Sequence, residues 1–296
     1  MAGHGQALIM ALKDLLVHID PTPAALLRLR MAADLARRHG SRLTALYVHE
    51  PGDAQRRERR EAEFGLVPAA DIDRAEQHML EAGAEATHHL ERELAAVCGE
   101  FGLEGELLSV AGSPASIVAQ HARFADLCIV RHDTGSAGAS ASYSFSEAIL
   151  FGSGRPLLIV PDEARVRTLG RHLLIAWNSS RASARAANDA LCLVERAERT
   201  TVLTINPTEY VTRYRALPPE RIVEHLRRHS AAVEEVRVEQ VADASIAAVI
   251  QEQARRRGAD VIVAGAFGHP KVWEKLMGGV TCDLLAQMPL PMLMSH

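Results

Sequence analysis

The sequence has no long hydrophobic segment, few aromatic residues and only four cysteines. No stretch approaches the ~18 consecutive apolar residues of a transmembrane helix, and the first twelve residues carry no basic segment before their short apolar run. Neither a membrane partner nor a signal peptide is therefore expected. Because Phe, Trp and Tyr make up 4% of the 296 residues, the cores must be built from aliphatic side chains.

The cysteines occur singly, and none forms a Cys-x-x-Cys pair. Single cysteines in apolar or helical surroundings behave as small hydrophobic side chains in a reducing compartment. The sequence therefore predicts a cytoplasmic protein, without a metal or a disulfide, in which four thiols are buried: Cys98, Cys128, Cys192 and Cys282.

Positive charge is not in excess, and the common catalytic motifs are missing. The net charge is −4, which argues against nucleic acid as the main partner, because phosphate backbones are bound by clustered Lys and Arg. The sequences Gly-x-Ser-x-Gly, Gly-x-x-x-x-Gly-Lys and Gly-x-Gly-x-x-Gly do not occur. No catalytic residue is predicted.

The chain contains an internal repeat of about half its length. Four apolar segments of the first half recur in the same order in the second half: 13–20 with 171–178, 42–49 with 201–206, 125–130 with 259–264, and 155–160 with 290–295. The stretch 161–170 between the copies is charged and bounded by Pro161 and Gly170. The sequence therefore predicts two domains, 1–163 and 164–296.

Each copy alternates short apolar runs with segments of helical spacing. Runs such as 127–130 and 157–160 are typical of strands buried on both faces of a parallel sheet. The order strand, helix, strand, helix predicts two doubly wound α/β domains with mainly parallel sheets. The first copy has an additional segment, 53–100, whose charged beginning is interpreted as the solvated face of a helix.

Two glycine turns follow the fourth predicted strand of the second copy, between residues 265 and 281. Glycine lets main-chain N–H groups approach an anion closely, and a helix that begins near Val280 adds unpaired N–H donors. Thr281 can cap that helix and offer a hydroxyl group. Lys271 and Lys275 lie one helical turn apart and either add positive charge or form a solvated face.

This glycine pattern resembles the ATP-binding sequence of universal stress proteins. Two residues separate Gly265 from Gly268, nine separate Gly268 from Gly278, and Gly279 precedes Val280 and Thr281. The resemblance covers nearly the whole chain and implies adenine nucleotide α-hydrolase-like domains that bind ATP or a related adenine nucleotide, with or without Mg²⁺. It implies these binding residues: Asn178, Ile205, Gly265, Gly268, His269, Gly278, Gly279, Val280 and Thr281.

The second copy departs from the family pattern at two positions. Gly279 stands where the family usually has Ser or Thr, and Asn178 stands where it has the Asp that contacts the nucleoside. Ile205 falls where the family's main chain contacts adenine. Asn can still form a hydrogen bond to a ribose or a base, but it carries no charge.

The first copy keeps Asp20 and Val48 at the corresponding strand ends but loses the glycines. Alignment on the fourth strand places Arg131 at Gly265 and Thr134 at Gly268, and alignment on the last strand places Tyr143 near Gly278. No tight nucleotide site is expected there, and the Gly-, Ser- and Ala-rich stretch 135–142 is predicted to be a mobile loop.

These patterns favour a stress-response regulatory protein that binds an adenine nucleotide in its second domain. The alternatives are a slow ATPase or autophosphorylating enzyme, with Thr281 or Ser295 as acceptor, and an interaction module without a ligand. Because universal stress proteins commonly pair through their last strands, strands 157–160 and 292–295 are expected to pair within the chain. A homodimer through terminal strands or helix surfaces is a further expectation.

Overall fold

The computed structural model describes residues 12–49, 69–132, 144–164, 166–206, 217–239, 245–266 and 279–296, with the backbone alone for 69–82. The first half contains five strands and four helices among these residues. They are β1 Asp14–Ile19, α1 Pro23–His39, β2 Arg42–His49, α2 Ala69–Phe101, β3 Gly105–Ala111, α3 Pro114–Ala122, β4 Leu127–Arg131, α4 Phe145–Ser153 and β5 Leu157–Val160.

The second half repeats the same order in its described residues, with a short extra helix before its second strand. Its elements are β6 His172–Trp177, α5 Arg181–Asp189, α6 Leu191–Val194, β7 Arg199–Ile205, α7 Glu220–Arg227, β8 Val233–Val238, α8 Ile246–Arg257, β9 Val261–Gly265, α9 Val280–Ala286 and β10 Met292–Ser295. The predicted boundary between 163 and 164 lies in the segment that connects β5 to β6, and it stays a prediction.

The ten strands form one sheet in the order β3-β2-β1-β4-β5-β10-β9-β6-β7-β8. All neighbours are parallel except β5 and β10, which are antiparallel, with Leu158 opposite Leu293. The expected pairing of the two last strands within the chain is thus confirmed, and so is the doubly wound α/β class. Since β5 and β10 both lie inside the sheet, neither offers a free edge to a second chain, and a homodimer through helix surfaces stays a prediction.

Two apolar layers cover the sheet, and each layer spans both halves. One contains β-strand residues such as Val17 and Ile175 with helices α1, α2, α5, α6 and α7. The other contains residues such as Leu16 and Leu174 with α3, α4, α8 and α9. Alternate strand residues face opposite layers, which explains why the strands read as continuous apolar runs rather than as alternating patterns.

Helix ends follow local sequence signals. Thr22 precedes α1 and accepts a hydrogen bond from the Ala25 N–H, and Ser180 does the same for α5 through the Ser183 N–H. Gly258 ends α8 with φ of 63°, a left-handed conformation that glycine adopts without strain, as the sequence predicts. These caps fix where each helix begins or ends relative to the strand that precedes or follows it.

A repeated aspartate ties the start of the fourth strand to the start of the first strand in each half. Asp260 accepts hydrogen bonds from Thr168 Oγ1 and from the N–H groups of Gly170, Arg171 and His172, at 2.9–3.2 Å. Asp126 accepts from the N–H groups of two residues and from one guanidinium: Lys13, Asp14 and Arg155. Each carboxylate therefore holds its half's central strands in register.

Two further findings bear on the sequence expectations. In the part of the chain that the structure describes, no helix has the length and apolar character needed to cross a membrane. Cys98, Cys128 and Cys192 are buried as predicted, whereas Cys282 is exposed. The prediction for Cys282 was wrong because it lies on the face of α9 opposite buried Leu284, so its apolar neighbours in sequence do not cover it.

Candidate functional site

The carboxyl ends of β6, β7 and β9 meet where the strand order of the second half reverses. β6 lies between β7 and β9, and its register pairs Trp177 with Thr204 and Ala176 with Ala264. Asn178, Ile205 and Gly265 therefore lie at one edge of three adjacent strands. In open α/β sheets such a switch point is where ligands bind.

Asn178 begins the turn that leads from β6 into α5. Its side chain is exposed, and its Oδ1 accepts a hydrogen bond from the Ser180 N–H at 3.1 Å. Ser179 between them has φ of 61°, in the left-handed region. Because Oδ1 is held by the turn, the group that Asn178 presents at the sheet edge is the Nδ2 amide, a hydrogen-bond donor.

The carbonyl group of Ile205 points beyond the end of β6. In a parallel strand, successive residues direct their N–H and C=O groups to opposite neighbours. The Arg199 N–H donates to Arg171, ahead of β6, whereas the Thr200 N–H donates to Ala232, ahead of β8. Residue 205, like 199, therefore faces the β6 side, where the strand has already ended at Trp177. That carbonyl is an acceptor placed level with the Asn178 turn.

Gly265 is required by the close approach of α5 to the end of β9. A Cβ atom at this position would lie 2.4 Å from the Ala182 carbonyl carbon and 2.4 Å from the Ser183 nitrogen. No side chain fits there unless the first turn of α5 moves away from the sheet. The glycine thus sets the position of the α5 N-terminus beside the switch point.

The first turn of α9 lies on the other side of this edge, and it corrects one expectation. Gly279, with φ −77° and ψ 137°, is the N-cap residue of α9, and no side chain caps the helix. Thr281 was expected to cap, but it is the second helical residue and is buried. Because Gly279 has the extended conformation of an N-cap, the helix begins at Val280 and Thr281 lies inside it, where it cannot cap. Val280 is half-buried against the α8 layer.

Three other predicted residues, Gly268, His269 and Gly278, lie outside the described residues, as do Lys271, Lys275, Thr134 and Tyr143. Of the nine predicted site residues, the structure therefore places three at the ends of adjacent strands and three at the start of α9, and their joint role in binding stays a prediction.

The corresponding edge of the first half is filled by its own side chains. Buried Arg28 of α1 donates from Nε to the His18 carbonyl at 2.9 Å, and its Nη2 lies 3.6 Å from Asp20 Oδ2. The ring centroid of His18 lies 5.0 Å from that of Phe145, and the Arg131 guanidinium carbon lies 5.6 Å from the same ring. Cationic and aromatic groups thus pack together at the first switch point.

Burial dominates the electrostatics of this cluster. It lowers the pKa of His18 to about 3, helped by the neighbouring charge of Arg28, so the imidazole is neutral in the folded protein. Burial also lowers the pKa of Arg28, while Asp20 and Asp162 oppose this change. Arg28 Nη1 lies 3.8 Å from Asp162, so the same guanidinium links the end of β1 to the segment that follows β5.

The two halves can be aligned through their strand registers and helix caps. At five aligned positions, the first half has a larger side chain than the second. The pairs are His18 with Ala176, Arg28 with Ala186, Arg131 with Gly265, Phe145 with Val280, and Val160 with Ser295. Of these five pairs, the sequence comparison had found only Arg131 with Gly265. The repeat offset would have shown His18 with Ala176 and Arg28 with Ala186, since it is constant through β1 and α1.

The first half also reaches the edge of the second site. The ring of Phe151, in α4, lies 4.8 Å from the ring of His296 and edge-on to it. His296 Nδ1 lies 3.2 Å from the Ala266 carbonyl, directly after β9. The β5–β10 pairing causes this contact, because antiparallel strands place the end of β10 beside the end of α4.

Comparison with known proteins agrees with this architecture. The family model of the universal stress protein family matches residues 11–161 and again 170–296. A universal stress protein from Archaeoglobus fulgidus DSM 4304 is 16% identical, with a TM-score of 0.68 over 95% of this chain and 96% of its own. A functionally unknown protein from Pseudomonas aeruginosa PAO1 is also 16% identical, with a TM-score of 0.58 over 96% of this chain and 92% of its own.

A universal stress protein solved in complex with cAMP is 18% identical and covers 52% of this chain and 99% of its own, with a TM-score of 0.35. No curated protein sequence matches the chain. The family model covers nearly all of both halves, and the sheet repeats its strand order in each. The chain therefore belongs to the universal stress protein family and carries two of its domains in tandem.

Proposed function

We propose that the second half binds one adenine nucleotide at the β6–β9 switch point and that the first half binds none. The observation that carries this proposal is the set of paired positions. Where the first half has His18, Arg28 and Arg131, the second has Ala176, Ala186 and Gly265. Ala176 and Ala186 leave room for a ligand at an edge where the first half packs its own side chains, whereas Gly265 allows the close approach of α5.

The polar groups at this edge suit a nucleoside. The Asn178 Nδ2 amide can donate to a ribose hydroxyl, and the Ile205 carbonyl can accept from an exocyclic amino group such as that of adenine. The main-chain N–H groups at the start of α9 would meet the phosphate end, together with the predicted contributions of Gly268, His269 and Gly278. ATP or a related adenine nucleotide, with or without Mg²⁺, is the proposed ligand.

A regulatory role rather than catalysis is the second part of the proposal. Nucleotide binding would favour one arrangement of the surface around 265–281, and a protein partner would recognise that arrangement. Autophosphorylation is less favoured, because the conceivable acceptors Thr281 and Ser295 are both buried, at 7% and 2% exposure. Neither hydroxyl is presented for transfer in this structure.

Isothermal titration with ATP, AMP and cAMP tests the proposal. We expect saturable heat with at least one of them and a stoichiometry of one per chain. The variant Ala186→Arg, which copies Arg28 into the second half, should abolish that heat. Ala33→Ser, a change in the core of the first half, serves as the control. No heat with any nucleotide would leave the chain as an interaction module without a ligand.

A further inference from the structure

The first half contains a cavity of about 300 Å³ that begins at the end of β1 and extends along α1 and α2. The cavity lies between the N-terminal turns of α1 and the middle of α2, and its floor is apolar. Ile19 of β1, Leu26 and Leu29 of α1 and Leu90 of α2 supply most of this floor. This volume is at the lower end of small-molecule sites, so it fits a ring with a short chain rather than a nucleotide.

Among the described residues, the helix that forms this side of the cavity, α2, is much longer than its counterpart in the second half. α2 has 33 residues, whereas the helix at the equivalent place, α7, has eight. The lining includes neither Val48 at the end of β2 nor Arg131 at the end of β4. The cavity shares Asp20, the equivalent of Asn178, with the first switch point, but it extends along α1 and α2 rather than towards the ends of β2 and β4.

Among the described residues, the charged groups of the rim are acidic. Asp20 and Glu93 line the cavity, together with Thr22 and His89, and no Lys or Arg of the described residues does. Asp20 is already engaged, because it accepts from the Thr22 hydroxyl and lies 3.6 Å from Arg28. An anion such as a phosphate would meet no cation here and would approach carboxylates.

Glu93 is the group at the rim that lacks a partner. Its side chain is half-buried, one helical turn after His89, and within the described residues it forms no hydrogen bond or ion pair. A half-buried carboxylate without a partner is unfavourable unless a cation or donor meets it. We propose that this cavity binds an organic cation, an ammonium group attached to an apolar body, with Glu93 as the counter-ion.

Three aromatic probes of similar size test the proposal at pH 8. They are 2-phenylethylammonium, the neutral 2-phenylethanol and the anionic 3-phenylpropanoate, each titrated against the full chain by calorimetry. We expect the cation to bind about tenfold more tightly than the alcohol, as a charge-assisted hydrogen bond implies, and the anion not to bind. Equal affinity for the cation and the alcohol, or no binding of any probe, would overturn the proposal.

Two variants locate the site. Glu93→Gln should lower the cation's affinity about tenfold and leave the alcohol's unchanged, whereas Glu91→Gln, an exposed position on the same helix, should change neither. Leu26→Trp should fill the cavity and remove both. An unchanged cation affinity in Glu93→Gln, or unchanged binding in a folded Leu26→Trp variant, would contradict the assignment. ATP titration of Glu93→Gln should match wild type, which separates this site from the nucleotide site.

Discussion

The two halves of this chain share one scaffold, but the first half has large side chains at its switch point and the second half has small ones. Both place a capped helix after their first strand and, before their fourth, an aspartate that accepts main-chain N–H groups from the start of the first strand. The first half fills its edge with a buried arginine, a neutral histidine and an aromatic ring, and the second half has small residues there. The two halves have thus kept the groups that hold the sheet together and differ in those proposed to meet a ligand.

In the first half, a charged side chain lies where the second half is proposed to bind its ligand. Arg28 contacts the His18 carbonyl, Asp20 and Asp162 at once, so it links β1 to the segment after β5. The residue at its position in α5 is Ala186. The first half keeps a fixed side chain at this place, whereas the second half is proposed to bind an exchangeable ligand. Only the second half would then respond to nucleotide.

The largest expected effect comes from the aspartates that both halves share. Asp260→Ala removes the acceptor of four hydrogen bonds at a buried position and should lower the free energy of unfolding by about 3 kcal/mol. Asp126→Ala, at a more exposed position, should cost about 1 kcal/mol. Hydrogen exchange of β6 and β1 amides reports each half separately. Equal losses would contradict the difference in burial.

Acidification should destabilise the first half through His18. Its pKa is about 3 in the folded protein, whereas the unfolded chain binds a proton near pH 6.5, so stability falls as the pH drops below 6.5 towards 3. The loss at pH 5 should be about 2 kcal/mol. His39, with a pKa lowered to about 4 by burial, adds to the same loss.

Guanidinium unfolding of His18→Gln at pH 7 and pH 5 measures this effect. Relative to wild type, the variant's free energy of unfolding should rise by about 2 kcal/mol between pH 7 and pH 5. A pH-independent difference for His18→Gln would contradict the buried neutral imidazole.

Gly265→Ala tests the close approach of α5 that distinguishes the second half. The added Cβ atom meets main-chain atoms at 2.4 Å, so the variant should lose about 1–3 kcal/mol of stability. It should also weaken ATP binding at least tenfold, because the α5 N-terminus and Asn178 shift together. Gly99→Ala, inside α2 with no atom within 4 Å of the added carbon, should be slightly stabilising and leave binding unchanged.

The smallest effect concerns the polar groups that begin each turn. Asn178→Ala removes one proposed hydrogen bond and should weaken ATP binding about three- to tenfold. Asp20→Ala, the equivalent change in the first half, should leave ATP affinity unchanged. Calorimetry on both variants decides this, and an equal loss in the two would place nucleotide in both halves.

Most of the fold could be predicted from the sequence, because the repeat and the apolar runs identify strands such as 127–130 and 157–160. The pairing of β5 with β10 was expected from the family resemblance and is present. The glycine spacing pointed to Gly265 and the start of α9. The structure describes six of the nine predicted site residues, and their role in binding stays a prediction.

What the sequence did not predict depends on contacts between distant residues. Arg28 looks like a surface residue of an amphipathic helix, and its burial depends on Asp162, which lies far along the chain. The orientation of Asn178 depends on the left-handed Ser179, and the exposure of Cys282 depends on which face of α9 meets the sheet. These are tertiary effects that local propensity does not encode.

Photo-crosslinking with 8-azido-ATP, followed by peptide mapping, tests most directly whether nucleotide binds in the second half alone. We predict that labelled peptides contain the ends of β6 or β7, near Asn178 and Ile205, and that unlabelled ATP prevents the labelling. Competed label of comparable yield at the ends of β1 or β2, near Asp20 and Val48, would contradict it.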